Sequence, residues 1–360
     1  MKISILAHHP FPIKAPYAGG LEMQTHILAK GLQARGHDVT IYAHEASDSE
    51  MDIKTYPFDE VRFDDIQQIP LHKDFNEDFI YAHHGYLSAV REVAKSDADI
   101  VHLNCLHHTP FIMHELITKP VIASLHTLPL PFLQSAIMAT RNSQNIHYTA
   151  VSGRLKDIWS PYNGSSSVVY NGVDLNQWEY VENPTADYVV WAGRICPEKG
   201  TREAVKAALE AGVPIKVAGP VCDPDYFDRS VAPLLKLAGS YEGHLNPEEL
   251  SDLIGNASGF LFSSLWEEPF GMVLIEALAC GTPVIAFNSG AVPEIITEDC
   301  GAIVPKSDVA AMAKAVGELD KYDRSLCRER VAQHFTHDKM VDDYLTIYGK
   351  NLKRTIAYVA

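Results

Sequence analysis

Two carboxylates eight residues apart, Glu268 and Glu276, lie in the segment EPFGMVLIE, where a turn leads into an apolar helical run. The apolar run GFLF just before it predicts a strand, and Pro269 and Gly271 favour a turn before the helix. Glu268 should then lie ahead of the helix. Glu276 should lie inside it, roughly 7 Å further along the axis.

Backbone N–H groups at the start of this helix are the second part of the pattern. The amides of Phe270, Gly271 and Met272 lack acceptors within the helix, and such helix starts attract phosphate. An ionised carboxylate accepts hydrogen bonds from vicinal hydroxyls, so the segment favours a ligand with a hydroxyl-rich ring at either end of a diphosphate. The alternative explanation is structural: one of the two acids complements the helix dipole in the first turn, and the other is an ordinary surface Glu.

Two further segments favour a diphosphate. Gly19 and Gly20 in KAPYAGGLEMQTHILAKGL precede a helix, where missing β-carbons let the backbone approach a bulky anion. GRICPEKG places Arg194 and Lys199 on one strand-to-helix loop, where Arg offers a planar fork for phosphate oxygens and Lys a mobile charge. A glycine pair before a helix is common, and surface salt bridges would explain the two cations equally well.

Histidines also follow several predicted strands: His8 and His9, His107 and His108, and His126. With 17 histidines in the chain some clustering is expected, and each one taken singly is more often a loop or core residue. None shows the HExxH or CxxC spacing of a metal site, so the sequence predicts none.

Apolar strand-like runs alternate with helical patterns, which is typical of mainly parallel sheets covered on both faces. The first strands are KISILA, VTIYA, DIVHL, VIASL and IHYTAV, and the second series is YVVWAG, IKVAG, GFLF, PVIAF and GAIV. Helices are predicted near 20–35, 76–95, 109–117, 131–141 and 152–160, then near 199–211, 224–237, 247–255, 271–280 and 307–319. In such sheets ligands bind beyond the carboxyl ends of the strands.

The length of 360 residues favours two domains. Between the two series lies NGVDLNQWEYVENPTA, whose Asn171-Gly172 turn and Pro184 interrupt regular structure. The sequence therefore predicts an N-terminal domain over 1–170, a linker over 171–186 and a C-terminal domain over 187–337. A final helix over about 338–360 is expected to pack back on the first domain.

Composition excludes some classes of function. A net charge of -16 disfavours a general electrostatic attraction to nucleic acid or anionic lipid. The first apolar run ends at His8, too short for a signal peptide, and no later run has the roughly 20 apolar residues of a membrane helix. Six cysteines without CxxC spacing are typical of reduced thiols, so a cytoplasmic protein is predicted.

The combination AGGLE, NGVD, GRICPEKG and EPFGMVLIEALACGTPVIA resembles the retaining glycosyltransferases of family 4 over nearly the whole chain. Within that family the chain is similar to the subgroup of the avilamycin-pathway glycosyltransferase. The resemblance implies an α/β protein of GT-B architecture, with two Rossmann-like doubly wound domains facing a central cleft. It further implies that the acceptor binds the N-terminal domain and the nucleotide sugar mainly the C-terminal domain.

The resemblance also assigns roles to residues. Arg194 and Lys199 match the basic pair that holds the diphosphate, Glu276 the acid on the ribose, and Glu268 the acid near the hexose hydroxyls, with the amides of Phe270, Gly271 and Met272 nearby. In the first domain, Gly19 and Gly20 match the loop that reaches the same phosphates, and His126 matches a histidine beside the donor sugar. The acceptor-binding stretch from 45 to 90 has no match that can be interpreted.

The expected function is transfer of a hexose from a UDP- or GDP-sugar to a hydroxyl of an acceptor, with the leaving-group charge stabilised by cations and without a required metal. Acids outnumber basic residues between Glu50 and Asp99, which favours a soluble acceptor over a bilayer lipid. A sugar-nucleotide 2-epimerase of the same fold and a non-catalytic sugar-nucleotide-binding protein remain alternatives. The base, the sugar, the acceptor and the oligomeric state are not determined by the sequence.

Overall fold

The computed structural model describes residues 1–55, 77–185 and 187–359. The chain forms two compact units, one of Met1–Val169 with Val341–Ala360 and the other of Tyr170–Met340. The stretch 171–186, predicted as a linker, belongs to the second unit. Its Val173 N–H donates to the carbonyl of Phe335 at 2.9 Å, and the Arg328 guanidinium donates to the carbonyls of Leu175 and Trp178 at 2.8 and 2.6 Å.

The first unit is built on a seven-stranded parallel sheet within its described residues. Its strands are β1 (Lys2–Ala7), β2 (Asp38–Ala43), β3 (Asp52–Thr55), β4 (Ile100–Asn104), β5 (Val121–Leu125), β6 (Ile146–Ala150) and β7 (Ser166–Val168). The order across the sheet is β3-β2-β1-β4-β5-β6-β7, so the chain reverses direction across the sheet between β1 and β4. All residues of β4 and β5 are buried, including the polar His102, Asn104 and Ser124, as expected in a sheet covered on both faces.

Five helices connect these strands in the described part of the unit. They are α1 (Gly20–Ala34), α2 (Glu77–Lys95), α3 (His108–Ile112), α4 (Pro131–Thr140) and α5 (Gly153–Asn163). The Ser152 side chain caps α5 by accepting from the Leu155 N–H at 3.0 Å. The soluble-acceptor prediction used the stretch from Glu50 to Asp99, and residues 56–76 of that stretch lie outside the described residues.

The second unit repeats the same topology with six parallel strands among its described residues. They are β8 (Val189–Ala192), β9 (Ile215–Ala218), β10 (Gly239–Gly243), β11 (Gly259–Phe262), β12 (Val284–Phe287) and β13 (Gly301–Val304). Their order is β10-β9-β8-β11-β12-β13, so the reversal falls between β8 and β11. Both units therefore have the strand order of a Rossmann-like doubly wound fold.

Nine helices complete the described part of the chain, the last of them continuing from the second unit into the first. They are α6 (Thr201–Ala211), α7 (Pro224–Tyr226), α8 (Ala232–Ala238), α9 (Pro247–Gly255), α10 (Met272–Ala279), α11 (Val292–Ile295), α12 (Val309–Val316), α13 (Arg324–His334) and α14 (His337–Val359). Asn246 and Glu249 form a capping box at the start of α9. No helix of the described residues combines the length and apolar character needed to cross a bilayer.

Three strands were not predicted: β3, β7 and β10. Each is an edge strand of its sheet, and their sequences DIKT, SSV and GSYEG carry few apolar residues. An edge strand has one neighbour and a solvated side, so it needs no apolar pattern. Helix α13 was also missed, because only Cys327 and Val331 of its residues are buried and the helical apolar period is weak.

The first unit contains the carboxyl-terminal part of α14, which is held by a buried polar network. The Tyr348 hydroxyl lies 2.7 Å from His102 Nδ1, and the Tyr344 hydroxyl lies 2.9 Å from Ser124 Oγ. His102 Nε2 lies 2.7 Å from the same Ser124 oxygen. Burial lowers the pKa of His102 to about 3, so the ring is neutral, with one nitrogen as donor and the other as acceptor.

Candidate active site

In the second unit three loops converge at the carboxyl ends of neighbouring strands. The loop after β8 and the loop after β11 flank the point at which the strand order reverses, where doubly wound sheets bind ligands. Leu265 N–H of the second loop donates to the Glu198 carbonyl of the first at 2.9 Å. The third loop follows β12, and its Ala291 N–H donates to the Glu268 carbonyl at 3.0 Å.

Glycines allow these loops to approach so closely. Gly200 has φ +68°, and a β-carbon there would lie 2.0 Å from the carbonyl oxygen of Ser263. Gly290 has φ +54°, and a β-carbon there would lie 2.0 Å from the carbonyl oxygen of Glu268. Any other residue at either position would clash with backbone and strain its own conformation, so both glycines fix the position of the loop that carries Glu268.

Glu268 lies at the centre of a cluster of hydrogen bonds, and all those that its side chain makes with the described residues are on one oxygen. Oε2 accepts from Lys199 Nζ at 2.7 Å, from Trp266 Nε1 at 2.9 Å and from Ser264 Oγ at 3.2 Å. Oε1 accepts no hydrogen bond from the described residues. The carboxylate is therefore fixed in orientation by three donors while its second oxygen keeps its full capacity to accept.

Lys199 ends a 3-10 turn, Pro197–Lys199, which precedes α6. Its ammonium pairs with Glu268 and also lies 5.0 Å from the centroid of the Trp266 ring, within the range of a cation–π contact. An ammonium has three N–H donors, so one hydrogen bond to Glu268 leaves donors for a ligand.

Arg194 differs from Lys199. Its side chain is exposed, and its guanidinium makes no hydrogen bond or ion pair within the described part of the chain. It follows β8 directly, at the same edge of the sheet as Lys199. The loop after β8 therefore carries one cation paired with a carboxylate and one that makes no ion pair with the described residues.

The start of α10 provides backbone donors, as the sequence predicted. Gly271 precedes the helix with φ +97°, a conformation that favours glycine. The N–H groups of Phe270, Gly271 and Met272 donate to no acceptor among the described residues. The Phe270 ring is buried, with its centroid 6.2 Å from that of Tyr170 and 6.0 Å from that of Phe335, so Phe270 offers a ligand its backbone alone.

Glu276 lies inside α10 and is 5% exposed. Its side chain forms no hydrogen bond or ion pair with the described residues. Burial raises the pKa of its carboxyl group from the ordinary 4.5 to about 8, because the charged form loses its hydration without gaining a partner. The sequence-based expectation was an ionised carboxylate at Glu276. In the protein without a ligand, this carboxyl group is instead mostly protonated at pH 7.

The first unit contains the remaining predicted residues. Gly19 is the N-cap of α1 in an extended conformation, and Gly20 is the first helical residue and is exposed. The first turn of α1 already contains an acid, Glu22, which is 3% exposed. A β-carbon at Gly19 would lie 3.1 Å from Glu22 Oε2, so this helix start is closely packed against its own carboxylate.

His126 follows β5 and is oriented by a hydrogen-bond chain. The Asn104 amide nitrogen donates to Gln24 Oε1 and Thr25 Oγ1, both at 2.8 Å. The Asn104 oxygen therefore accepts from His126 Nε2 at 2.7 Å. Burial, with a smaller contribution from His8, lowers the pKa of His126 to about 3. A neutral ring that donates from Nε2 presents Nδ1 as an acceptor.

Comparison with known proteins identifies the family. Residues 173–330 match the family model described as Glycosyl transferases group 1, and residues 18–177 match the one described as Glycosyltransferase Family 4. The two matches together extend over most of both units. The chain belongs to the family 4 glycosyltransferases of GT-B type. Its activity is accordingly the transfer of a sugar from a nucleotide sugar.

Individual relatives of this glycosyltransferase are distant but extend over nearly all of it. A glycogen synthase of Mycobacterium tuberculosis is 24% identical, over 89% of this chain and 87% of the relative. Among solved structures, AviGT4, a glycosyltransferase involved in avilamycin A biosynthesis, is 19% identical with a TM-score of 0.69 over 98% of both chains. Anabaena HepE, solved with UDP and glucose, is 17% identical with a TM-score of 0.75 over 97% of this chain and 100% of that one.

Three site residues of the glycosyltransferase were not found by sequence reasoning: Ser264, Trp266 and Asn104. The first two lie within four residues of Glu268, in the SSLWEE segment, and closeness in sequence was the signal that could have found them. No comparable signal exists for Asn104, because its contact with His126 joins two adjacent strands.

Proposed function

We propose that this glycosyltransferase is a retaining hexosyltransferase, which moves a hexose from a UDP- or GDP-sugar to a hydroxyl group of a soluble acceptor. The observation that carries the proposal is the Lys199–Glu268 pair, in which Nζ and Oε2 lie 2.7 Å apart, with the exposed Arg194 on the same loop as Lys199. A cation beside a hydroxyl-binding carboxylate suits a ligand whose phosphate and sugar ring are covalently joined.

The reaction breaks the bond between the anomeric carbon and the phosphate oxygen of the donor. Negative charge then develops on the departing nucleoside diphosphate, and the Arg194 guanidinium and the Lys199 ammonium stabilise it. The free N–H groups of Phe270, Gly271 and Met272 add donors aimed at the same oxygens. Removing one such donor typically costs about 3–4 kcal/mol of transition-state stabilisation. The proposed chemistry assigns this stabilisation to the cations and amides of the chain itself, without a metal.

Glu268 positions the sugar instead of attacking it. Oε2 is already bonded to three donors, and Oε1 accepts from the hexose hydroxyls, which fixes the ring relative to the cations. The acceptor hydroxyl attacks the anomeric carbon on the face from which the diphosphate leaves, and its proton passes to a phosphate oxygen. Attack on that face retains the anomeric configuration.

Glu276 binds the ribose. Its carboxyl group has no partner among the described residues, so vicinal hydroxyls would supply the hydrogen bonds that it lacks. Anabaena HepE was solved with UDP and glucose, which supports a uridine nucleotide as the first donor to test. The first-unit residues Gly19, Gly20 and His126 remain predicted donor contacts, with His126 Nδ1 as an acceptor for a sugar hydroxyl.

Transfer by the Lys199→Ala variant tests the leaving-group role. Purified enzyme is incubated with radiolabelled UDP- and GDP-sugars and a panel of soluble hydroxyl acceptors, and labelled product is counted. We expect the rate to fall about 10²- to 10³-fold. The matched control is Lys236→Ala, an exposed lysine of α8, which should keep the parent rate. A Lys199→Ala rate near the parent rate would refute the role.

Four further outcomes would contradict other parts of the proposal. Formation of an epimer from a UDP-sugar without any acceptor would indicate a 2-epimerase, and nucleotide-sugar binding without product would indicate a non-catalytic protein. A product with inverted anomeric configuration in its NMR spectrum would exclude retention. Flotation of the protein with anionic vesicles at moderate salt would exclude the soluble-acceptor class in favour of lipid.

A further inference from the structure

The first unit brings three histidines together where its own strand order reverses. His107 and His108 lie at the start of α3, just after β4, and His83 lies on α2. One ring nitrogen of each lies within 4.8 Å of the other two, the closest such group of possible metal ligands in the described part of the chain. All three side chains are half-buried.

The three rings lie close to one another. Their centroids lie 4.4 Å apart for His107 and His108, 5.7 Å for His83 and His108, and 5.9 Å for His83 and His107. Tyr86 stacks on His107 with centroids 4.7 Å apart, and Phe132 stacks on His108 at 5.4 Å. Aromatic rings therefore flank the group from outside.

Several of the ring nitrogens have no partner. His108 makes no hydrogen bond with the described residues, so both of its nitrogens are available. His107 Nε2 is buried and also without a partner. A buried polar atom without a hydrogen bond is costly, and native structures usually supply a partner, such as water or an ion.

Thr109 contacts one ring nitrogen of His83 and one of His107. His83 Nδ1 lies 3.1 Å from Thr109 Oγ1, which leaves His83 Nε2 for another partner. Metal-bound imidazoles are oriented in this way by a hydrogen bond on the other ring nitrogen. The Thr109 N–H donates to His107 Nδ1 at 3.2 Å.

We propose that His83, His107 and His108 form a binding site for one borderline divalent transition-metal ion, such as Zn²⁺. Imidazole nitrogen is a preferred ligand of Zn²⁺, Co²⁺, Ni²⁺ and Cu²⁺, whereas Mg²⁺ and Ca²⁺ require oxygen ligands. Three protein nitrogens leave an open coordination position, which water or a hydroxyl oxygen fills. The site is built from the first unit alone and does not depend on the transfer reaction.

Binding requires two small adjustments. Zn–N bonds of about 2.0–2.1 Å bring tetrahedral ligands to about 3.3 Å from one another, so the rings must close from their present spacing by side-chain rotation. His107 binds through Nε2, which moves its ring proton to Nδ1 and gives up the hydrogen bond from the Thr109 N–H. Three metal–nitrogen bonds replace that one neutral hydrogen bond.

The test measures metal binding directly. The full chain, purified without a histidine tag and stripped with chelator, is dialysed against micromolar Zn²⁺ at pH 7.5, and bound metal is counted by mass spectrometry. We expect one ion per chain. Co²⁺ should give the intense visible d–d absorption of a four-coordinate site, a readout that needs no variant and no catalytic activity.

Matched variants locate the ion. His83→Ala and His108→Ala should each weaken Zn²⁺ binding at least tenfold, and the double variant should abolish it. His334→Ala, an exposed histidine of α13, should leave binding unchanged. All variants carry Cys222→Ser, which removes the exposed thiol as a competing ligand. Circular dichroism confirms that each variant is folded.

Two results would overturn the proposal. One is the absence of stoichiometric Zn²⁺ and of a Co²⁺ spectrum in the folded parent chain. The other is binding that persists at the parent affinity in the folded double variant. Loss of binding with full transfer activity would support the site, because the proposal concerns the metal and not the transfer chemistry.

Discussion

The two units have the same strand order and different chemistry at the point where that order reverses. In the second unit, the loops after β8 and β11 carry Arg194, Lys199 and Glu268. In the first unit, the loops after β1 and β4 carry His8, His9, His107 and His108, and their immediate neighbourhood is aromatic.

The difference shows that topology fixes where a ligand binds and loop side chains fix which ligand binds. Charged groups in the second unit suit a diphosphate, and one of the two cations is kept without a partner. In the first unit, burial lowers the pKa values of His107 and His126 to about 3, so both rings are neutral. Neutral nitrogens suit hydroxyl groups and metal ions.

The largest expected effect concerns Glu276, a buried carboxyl group in the unit whose site is otherwise charged. Because its pKa is raised from 4.5 to about 8, Glu276 keeps in the native state a proton that the unfolded chain releases. Stability contributed by this group is full below pH 4.5 and falls as the pH rises to about 8. The Gln side chain of the Glu276→Gln variant does not titrate, so the variant does not lose this stability. The free energy of unfolding of the variant minus that of the parent should therefore increase by at most about 5 kcal/mol between pH 4.5 and about 8.

Urea unfolding of both proteins at pH 5, 7 and 8.5 measures this difference. Exposed Glu210→Gln, on α6 of the same unit, serves as the control and should show a constant difference from the parent. A Glu276→Gln difference that is independent of pH would show that the carboxyl group is ionised in the folded protein.

The next effect concerns the unpaired cation. Arg194→Ala should lower kcat about 10²- to 10³-fold, because a charge aimed at the leaving group is lost. Thermal stability should stay nearly unchanged, since the guanidinium is exposed and has no partner among the described residues. The kcat of Arg194→Lys should lie between those of the parent and of Arg194→Ala, because this variant keeps the charge and loses the planar guanidinium. Full activity of Arg194→Ala in steady-state kinetics would contradict the proposed division of roles between the units.

A smaller effect is expected at Trp266. Trp266→Phe keeps an aromatic ring beside Lys199 and removes the N–H that donates to Glu268 Oε2 at 2.9 Å. A hydrogen bond to a charged group contributes about 1.5–3 kcal/mol, and here Lys199 and Ser264 still hold the carboxylate. We expect kcat to fall about fivefold to thirtyfold. Unchanged kcat with a raised KM would instead assign Trp266 to ground-state binding.

The smallest effect tests the neutral polar network of the first unit. Tyr348→Phe removes the hydroxyl that lies 2.7 Å from His102 Nδ1, and it should lower the free energy of unfolding by about 1 kcal/mol without changing transfer kinetics. Tyr162→Phe is the control, because the Tyr162 hydroxyl makes no hydrogen bond with the described residues. Equal stability of the two variants would show that the network does not stabilise the unit.

Much of the fold was predictable because buried parallel strands leave continuous apolar runs in the sequence. VIASL and GFLF are such runs, and both are fully buried strands. The edge strands β3, β7 and β10 have no such runs, since only one side of each is paired. The break in the predicted helix at 199–211 was also missed, because the left-handed Gly200 that separates Lys199 from α6 is required by the nearby Ser263 carbonyl.

The sequence by itself determined the alternation of strands and helices, the turn before α10, and the residue types that could bind a diphosphate. Those features depend on local period and local spacing. Only the tertiary structure decided that Glu268 has one saturated and one free oxygen, that Glu276 is buried without a partner, and that three histidines from two elements meet. Each of these depends at least in part on contacts between segments far apart in the chain, such as that of Lys199 with Glu268 or of His83 with His107. Packing and burial of those segments set the geometry and the charge of these groups.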